Sequence, residues 1–248
     1  MVQIVIVAGG LATRMKPLTE EIPKCLIDIH GMPLIEHQLR FFKKNGYKNI
    51  IFCIAHLAEK VKEHFKDGSP LGLNILYAQE SGELRGTAGS VRLAERLIGD
   101  DEDFIVYYGD NLTSMDFDSF LRFHREKGGI ATICLRPLPE GYKSSSVIIL
   151  DSNGKIRVFL EKPPLEEIEK YEGEIKYINS GIYAFKKEVF GLIPKDEKYD
   201  FAKHLFPKLM RLGRGIYGYP TEEFFREIGR VEKYEQFIEE FKGKTLLL

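Results

Sequence analysis

Short runs in which every residue is apolar, each followed by a stretch of helical periodicity, constrain this chain more than any other feature. Residues 4–7 (IVIV) and 105–108 (IVYY) are apolar or aromatic at consecutive positions. Successive side chains of a strand point to opposite faces, so such strands need cover on both sides, as in a parallel sheet wrapped by helices. The pattern repeats through the first half. Strands are expected over residues 3–8, 49–55, 73–78 and 104–108, and a helix over residues 88–98. Between the strands, Ile35, Leu39 and Phe42 share one helical face, and Leu57, Val61 and Phe65 recur at i, i+4 and i+8. This alternation is that of a doubly wound α/β sheet. Gly46, Gly68 and Gly99 each follow a helical pattern, where a left-handed residue commonly closes a helix.

The second half has a different grammar. Residues 147–150 and 156–160 flank the turn sequence DSNG, a hairpin signal, and residues 178–185 read as a further strand. A few antiparallel strands are therefore expected to join the sheet. The last helix, residues 232–241, puts Tyr234, Phe237, Ile238 and Phe241 on one stripe and should pack against the body. No repeat, low-complexity tract or Pro/Ser linker interrupts the chain. Residues 1–248 are expected to form one Rossmann-like domain, a mostly parallel twisted sheet flanked by helices, with halves 1–128 and 129–248. Ligands of such sheets bind at the carboxyl ends of the strands.

Charge narrows the partners. With 36 Lys and Arg against 37 Asp and Glu, the net charge is −1, so no nucleic acid or membrane surface is expected as a partner and any phosphate chemistry must be local. Cys25, Cys53 and Cys134 lie far apart with no CxxC pair and read as buried apolar residues in a reducing compartment. The N-terminal apolar run is too short to span a membrane and has no basic leader, so the expected location is cytoplasmic.

The loop after the first strand, AGGLATRMKPLTEEIPKCLIDIHGMPLI over residues 8–35, is long and carries several cations. It matches neither common phosphate fingerprint: Ala12 breaks GxGxxG, and no GxxxxGK[ST] occurs. Gly9 and Gly10 would let backbone N–H groups approach a phosphate. Arg14 offers a planar fork and Lys24 a compact point charge. A nucleoside triphosphate carries about four negative charges that phosphoryl transfer must neutralise. Taken alone, however, two glycines and an arginine fit an ordinary solvated loop better than an anion cradle.

Read whole, the loop resembles the signature of the sugar-1-phosphate nucleotidyltransferases, GGxGTRLxPLT followed by PKxLxxxxGxPxI. These include the glucose-1-phosphate thymidylyl- and uridylyltransferases and the mannose- and heptose-1-phosphate guanylyltransferases. The resemblance implies that Gly9 and Gly10 hold the nucleotide. It also implies that Arg14 and Lys24 are catalytic, holding its phosphates and stabilising attack at the α-phosphorus. Ala12 replaces the usual third glycine and Met15 a leucine.

Later segments resemble the family in the same order. In YYGDN the resemblance implies Asp110, just past the end of an apolar strand, as a ligand of Mg2+. GELRGTAGS, with Gln79 upstream, resembles LGTAGA near the nucleobase and implies Gln79, Gly86 and Thr87 as nucleotide contacts; Thr87 is equally suited to capping a helix. Here Arg85 replaces a leucine, and the stretch is one residue longer than usual. FLEKPP resembles FxEKP, implying Glu161 on a sugar hydroxyl and Lys162 on the sugar phosphate. INSGIYAF resembles NxGIYxF, implying Asn179 on a sugar hydroxyl, unless its neighbours already satisfy it. FFREIGRVEKYEQF corresponds to WxDIGTPxxY and makes Glu227 the second metal ligand, with Glu for Asp, Arg230 for Thr and Val231 for Pro. Ser146 stands where glycine is usual beside the sugar ring.

The implied reaction is Mg2+-dependent transfer of a nucleotidyl group from an NTP to a sugar 1-phosphate, with the C-terminal antiparallel strands forming the sugar side and no C-terminal β-helix domain. One rival is a cytidylyltransferase for phosphocholine or an inositol phosphate. Glu161, Lys162 and Asn179 argue for a sugar, and a chain without tryptophan has only Tyr and Phe to build a choline cage. A rival of another class is a non-catalytic nucleotide-sugar-binding regulatory protein, favoured by Glu227, Arg230 and Ser146 and opposed by Arg14, Lys24, Asp110 and Lys162. The base, the sugar, the number of metal ions and formation of a homo-oligomer are left open.

Overall fold

The computed structural model describes residues 2–139, 141 and 145–242, so the two ends of the expected 1–248 unit lie outside the described residues. Strand β1 (Gln3–Val7) leads into the long loop, which carries the short strands β2 (Asp28–Ile29) and β3 (Met32–Pro33) before helix α1 (Leu34–Lys44). Then follow β4 (Asn49–Ile54), α2 (Ala58–Phe65), β5 (Asn74–Gln79), α3 (Gly86–Arg92) and β6 (Asp103–Tyr108). β1 pairs in parallel with β4 and β6, and β4 with β5. Ile4 and Ile6 pack on one side with Phe42, Phe52 and Phe65, while Val5 packs on the other with Ala88, Val91 and Phe104. Each such side chain contributes on the order of 1.5–3 kcal/mol on leaving water, and burial on both faces is why β1, β4 and β6 are apolar at consecutive positions past their polar first residues, Gln3, Asn49 and Asp103.

The second half adds β7 (Asn111–Thr113), α4 (Phe117–Lys127), β8 (Ala131–Pro137), β9 (Ser146–Leu150), β10 (Ile156–Glu161) and α5 (Leu165–Glu169). The chain continues through β11 (Tyr177–Lys186), α6 (Phe206–Arg211), β12 (Ile216–Pro220), β13 (Phe225–Glu227) and α7 (Val231–Glu240). β11 enters antiparallel to β6 and also pairs with β8 and β9; β12 extends β8 in parallel. Among the described residues nine strands thus form one mixed sheet. The expected β9–β10 hairpin is closed by Asp151, whose carboxylate accepts from the N–H groups of Asn153 at 2.8 Å and Lys155 at 3.0 Å, with Gly154 left-handed at φ 79°. β7 and β13 pair as a separate ribbon.

The stripe on α7 does pack inward. Phe237, with Tyr234, Ile238 and Phe241, joins Met15, Ile27, Ile29, Leu34, Leu112 and Ile228 in a third cluster. That cluster anchors the neighbours of Arg14 and Glu227, so the C-terminal helix helps hold both ends of the site.

Three details differ from expectation. Gly46 and Gly68 are left-handed, with φ 88° and 83°, but Gly99 is not. The helix expected over 88–98 is α-helical only to Arg92 and continues as a 3-10 turn, and its C-cap Ile98 is extended at φ −75°, ψ 122°, so no left-handed residue is needed there. Periodicity also left β8, β12 and α4 unassigned, although α4 has a clear N-cap in Asp116, whose side chain accepts from the N–H groups of Asp118 and Ser119. Among the described residues no helix is long and apolar enough to cross a membrane.

Candidate active site

The loops leaving β1 and β6 begin side by side: Ala8 N–H donates to the Cys53 carbonyl at 2.9 Å, and Gly109 N–H to the Val7 carbonyl at 3.0 Å. At these carboxyl ends opens a cleft of about 610 Å3, lined among others by Arg14, Thr87, Asp110, Glu161, Lys162, Asn179 and Glu227. A second concavity of about 570 Å3, bounded by Phe123, Ile149, Leu150 and Tyr177, is more apolar and contains none of these residues.

The signature loop is built by close approach and anchoring. A Cβ on Gly9 would lie 3.1 Å from Ala55 N and 3.2 Å from Ala55 Cβ, whereas Gly10 faces open space. Packing at the first glycine is tight enough that a side chain there would push Ala55 aside, and the second leaves backbone accessible. Ala12 is left-handed, with φ 49° and ψ 34°, a conformation costing roughly 1 kcal/mol for a residue with a Cβ. Its carbonyl accepts from Met15 N–H at 2.9 Å and the Thr19 hydroxyl at 3.0 Å. Met15 is fully buried. Arg14 therefore sits in a short turn, Thr13–Met15, pinned on both sides, with its side chain exposed toward the cleft.

Lys24 forms an ion pair with Asp110 through Nζ and Oδ2, their side chains only 17% and 20% exposed. Ile228 N–H donates to the Asp110 carbonyl at 2.8 Å, and Glu227 pairs with Asn111 in the β7–β13 ribbon. Two elements more than a hundred residues apart thus bring Asp110 and Glu227 together. Glu227 is in turn paired with Lys233 on α7. Gly229 marks the convergence: a Cβ there would overlap Glu227 Oε1 and lie 3.5 Å from Lys24 Nζ.

On the expected nucleobase side the contacts are partly structural. Gly86 is left-handed at φ 74°, and a Cβ on it would lie 2.8 Å from the Tyr199 carbonyl oxygen and 3.0 Å from Asp200 Oδ1. Its small size thus admits the 199–200 segment. Thr87 is not the N-cap of α3, which is Arg85. The N–H of Thr87 donates to Asp200 Oδ1 at 3.1 Å, and its hydroxyl accepts from Phe201 N–H at 3.1 Å. The N–H groups of Ala88 and Gly89 both reach the Tyr199 carbonyl at 2.9 Å. A distant segment therefore satisfies the helix N-terminus. Gln79 lies at the end of the edge strand β5, where its side-chain oxygen accepts from Lys62 Nζ at 2.5 Å. The cleft lining does not include Gln79, Gly86, Gly9 or Gly10.

On the expected acceptor side, β9 and β10 pair Ser146 with Glu161, and the Ser146 hydroxyl donates to Glu161 Oε2 at 2.6 Å. Lys162 is left-handed at φ 52°, a strained backbone that turns the chain out of β10. Its side chain is 60% exposed, with the ammonium 4.0 Å from Glu161 Oε1. Asn179 sits where the β11–β8 register shifts; its side-chain oxygen accepts from Gly181 N–H at 2.9 Å, and its NH2 donates to the Tyr183 hydroxyl at 3.0 Å. Neighbours thus already engage the Asn179 amide, as in the structural alternative.

The cleft also holds residues that the motifs do not mark: Arg136, Asp200, Lys203, Lys233 and Tyr108. Asp200 and Lys203 come from one π turn, Phe201–Leu205, and its N-cap. Burial pushes the Tyr108 phenol up to about 12, so it is a neutral hydroxyl. Arg136 and Tyr108 arrive on β8 and β6, Asp200 and Lys203 on the π turn with its N-cap and Lys233 on α7, so tertiary packing gathers them and no local spacing signals it. Cys25, Cys53 and Cys134 are buried and unpaired by disulfides. Burial pushes the thiols of Cys25 and Cys134 up to about 12 and that of Cys53 higher still, so none is a thiolate nucleophile.

A family model for nucleotidyl transferase matches residues 3–242, and the chain belongs to that family. It is 37% identical over 243 residues to a UTP–glucose-1-phosphate uridylyltransferase of Synechocystis sp., covering 94% of this chain and 61% of that protein. It is 32% identical over 232 residues to mannose-1-phosphate guanylyltransferase 1 of Arabidopsis thaliana, covering 92% of this chain and 62% of that protein. The chain thus spans about three fifths of the length of these curated relatives. The crystal structure of HddC from Yersinia pseudotuberculosis complexed with GMP-PN shares the fold, with a TM-score of 0.78 at 24% identity over 98% of this chain and 100% of that one.

Proposed function

We propose that the protein transfers a nucleotidyl group from a nucleoside triphosphate to a sugar 1-phosphate with release of pyrophosphate, the acceptor phosphate attacking the α-phosphorus in line. One observation carries this reading: a single cleft at the carboxyl ends of the parallel strands collects Arg14, Asp110 with its partner Lys24, Glu227, Glu161 and Lys162. Arg14 and Lys24 neutralise the triphosphate as charge shifts toward the leaving pyrophosphate. Gly10 offers open backbone to the nucleotide while Gly9 lets the loop pack against Ala55 beside it, with Gln79, Gly86 and Thr87 toward the base. Glu161 meets a sugar hydroxyl, Asn179 meets another with the donor and acceptor capacity its amide keeps beyond Tyr183 and Gly181, and Lys162 offsets repulsion between the acceptor dianion and the α-phosphate. The nucleotide half is 1–128 and the acceptor half 129–248. The relatives' names, uridylyl- and guanylyltransferases of glucose 1-phosphate and mannose 1-phosphate, support a sugar phosphate as acceptor.

Asp110 and Glu227 suit Mg2+ as hard oxygen donors brought together from β6 and β13 and balanced by Lys24 and Lys233. Among the described residues no group of three or more His, Cys, Asp or Glu is placed to hold a metal, which fits an ion that takes its remaining ligands from substrate phosphates and water. When bound, it supplies charge neutralisation and orientation of the phosphate oxygens. The test is a pyrophosphate-release screen crossing the common NTPs with glucose 1-phosphate, mannose 1-phosphate and phosphocholine, in Mg2+ and in EDTA. Release is expected for at least one sugar phosphate in Mg2+ and should vanish in EDTA. Release with no sugar phosphate overturns the proposal.

A further inference from the structure

Strand β8 alternates as a strand buried on both faces should: Ile133 and Leu135 enter one core cluster, and Cys134 enters the other with Tyr107 and Met115. Two residues beyond Cys134, on the same face, stands Arg136, a cation where the alternation calls for an apolar side chain. Its guanidinium lies over the Phe225 ring, 4.2 Å from the centroid. Its Nε is shielded from solvent and has no hydrogen-bond partner among the described residues. Burial lowers its affinity for the proton, Glu227 attracts it through space and Arg226 repels it; arginine nevertheless stays charged. Glu227 is itself engaged by Lys233. Native proteins rarely leave a buried donor unpaired or a desolvated cation without an anion, and the open side of this guanidinium is the cleft.

We infer that Arg136 binds the phosphate of the acceptor, an assignment that rests on the nucleotidyl-transfer reading above. In register it faces Ile178, next to Asn179, and so belongs to the acceptor wall. The planar fork matches two phosphate oxygens. Lys162, the motif cation on that wall, is 60% exposed, so water weakens its attraction for a dianion. A guanidinium stacked on an aromatic ring and partly out of water acts in a lower dielectric and holds a fixed direction. A strut that only held β13 and Glu227 in place would lose affinity for every ligand of the cleft alike, whereas a phosphate contact loses it for the acceptor.

The experiment is equilibrium titration of wild type, Arg136→Gln and Arg136→Lys with glucose 1-phosphate, mannose 1-phosphate and inorganic phosphate, probes that share only the phosphate, and separately with the NTP. Loss of a charge-assisted contact should weaken at least one phosphate probe about tenfold or more in Arg136→Gln. NTP affinity should move less than about twofold, and Arg136→Lys, which keeps charge and loses the fork, should fall between. Unchanged affinity for all three probes, or an equal loss for the NTP in both variants as a strut would give, overturns the assignment. Because binding is read without turnover, a wild type that binds phosphate through Arg136 yet releases no pyrophosphate refutes the transfer reading and leaves this site standing.

Discussion

Gly229→Ala separates a role in the site from a role in folding. The added Cβ would lie 3.2 Å from Glu227 Cδ, overlap its Oε1 and sit 3.5 Å from Lys24 Nζ. Restoring van der Waals separation moves the carboxylate by roughly 1 Å. What yields is the tip of a flexible side chain, and the backbone at Gly229 is not left-handed, so alanine is sterically allowed there. Reduced freedom of the unfolded chain favours alanine by about 0.4–1 kcal/mol. The disturbed Glu227–Lys233 pair, 36% and 47% exposed, costs about as much at most after screening by water. Net stability should therefore stay within about 1 kcal/mol of wild type. A 1 Å misplacement in an active site can cost on the order of 100-fold in rate. The assay is pyrophosphate release titrated with Mg2+, run beside a thermal melt. The expected result is a large loss of rate, a higher Mg2+ requirement and an unchanged melt. Wild-type rate and Mg2+ dependence would refute Glu227 as part of the site; a collapse of the melt would show that the glycine serves the fold.

Two further outcomes follow from single contacts. Ser146→Ala removes the hydroxyl that fixes Glu161 Oε2 at 2.6 Å; the acceptor KM should rise about three- to tenfold with the NTP KM unmoved, and equal kinetics would mean that Glu161 does not touch the acceptor. Asp103 is held down to about 2, first by His124 and then by Arg125. His124 Nε2 at 3.6 Å is too far for a hydrogen bond, whereas Arg125 Nε at 2.8 Å donates one. Because the folded carboxyl is depressed below its unfolded value near 3.9, its stabilisation is present above pH ~4 and lost as pH falls toward 2. Urea unfolding should show Asp103→Asn less stable than wild type at pH 7 and converging with it near pH 2; a constant gap across that range would contradict the linkage.

Much of this was legible before any tertiary contact was known. β1, β4 and β6 announce themselves because burial on both faces makes every residue after the first apolar or aromatic, and the DSNG hairpin because Asp151 and Gly154 carry the turn in their own chemistry. The stripe on α7 predicted its docking. Arg14, Asp110, Glu161, Lys162 and Glu227, read from motifs, line one cleft.

The amino-acid order by itself determined the class of sheet, the edge where the site lies and the chemical types gathered there, because periodicity and turn propensity act over a few residues. Tertiary structure alone decided what those residues touch. Lys24 finds Asp110 at a separation of 86 positions, and Thr87 finds Asp200 at 113. Gly86 is small for the Tyr199 carbonyl, Gly229 for Glu227, and Arg136 meets Phe225 across two strands that periodicity never marked as neighbours. Such pairings depend on strand order and register, which are set by how the whole hydrophobic surface is buried at once, and no local window of sequence contains that information.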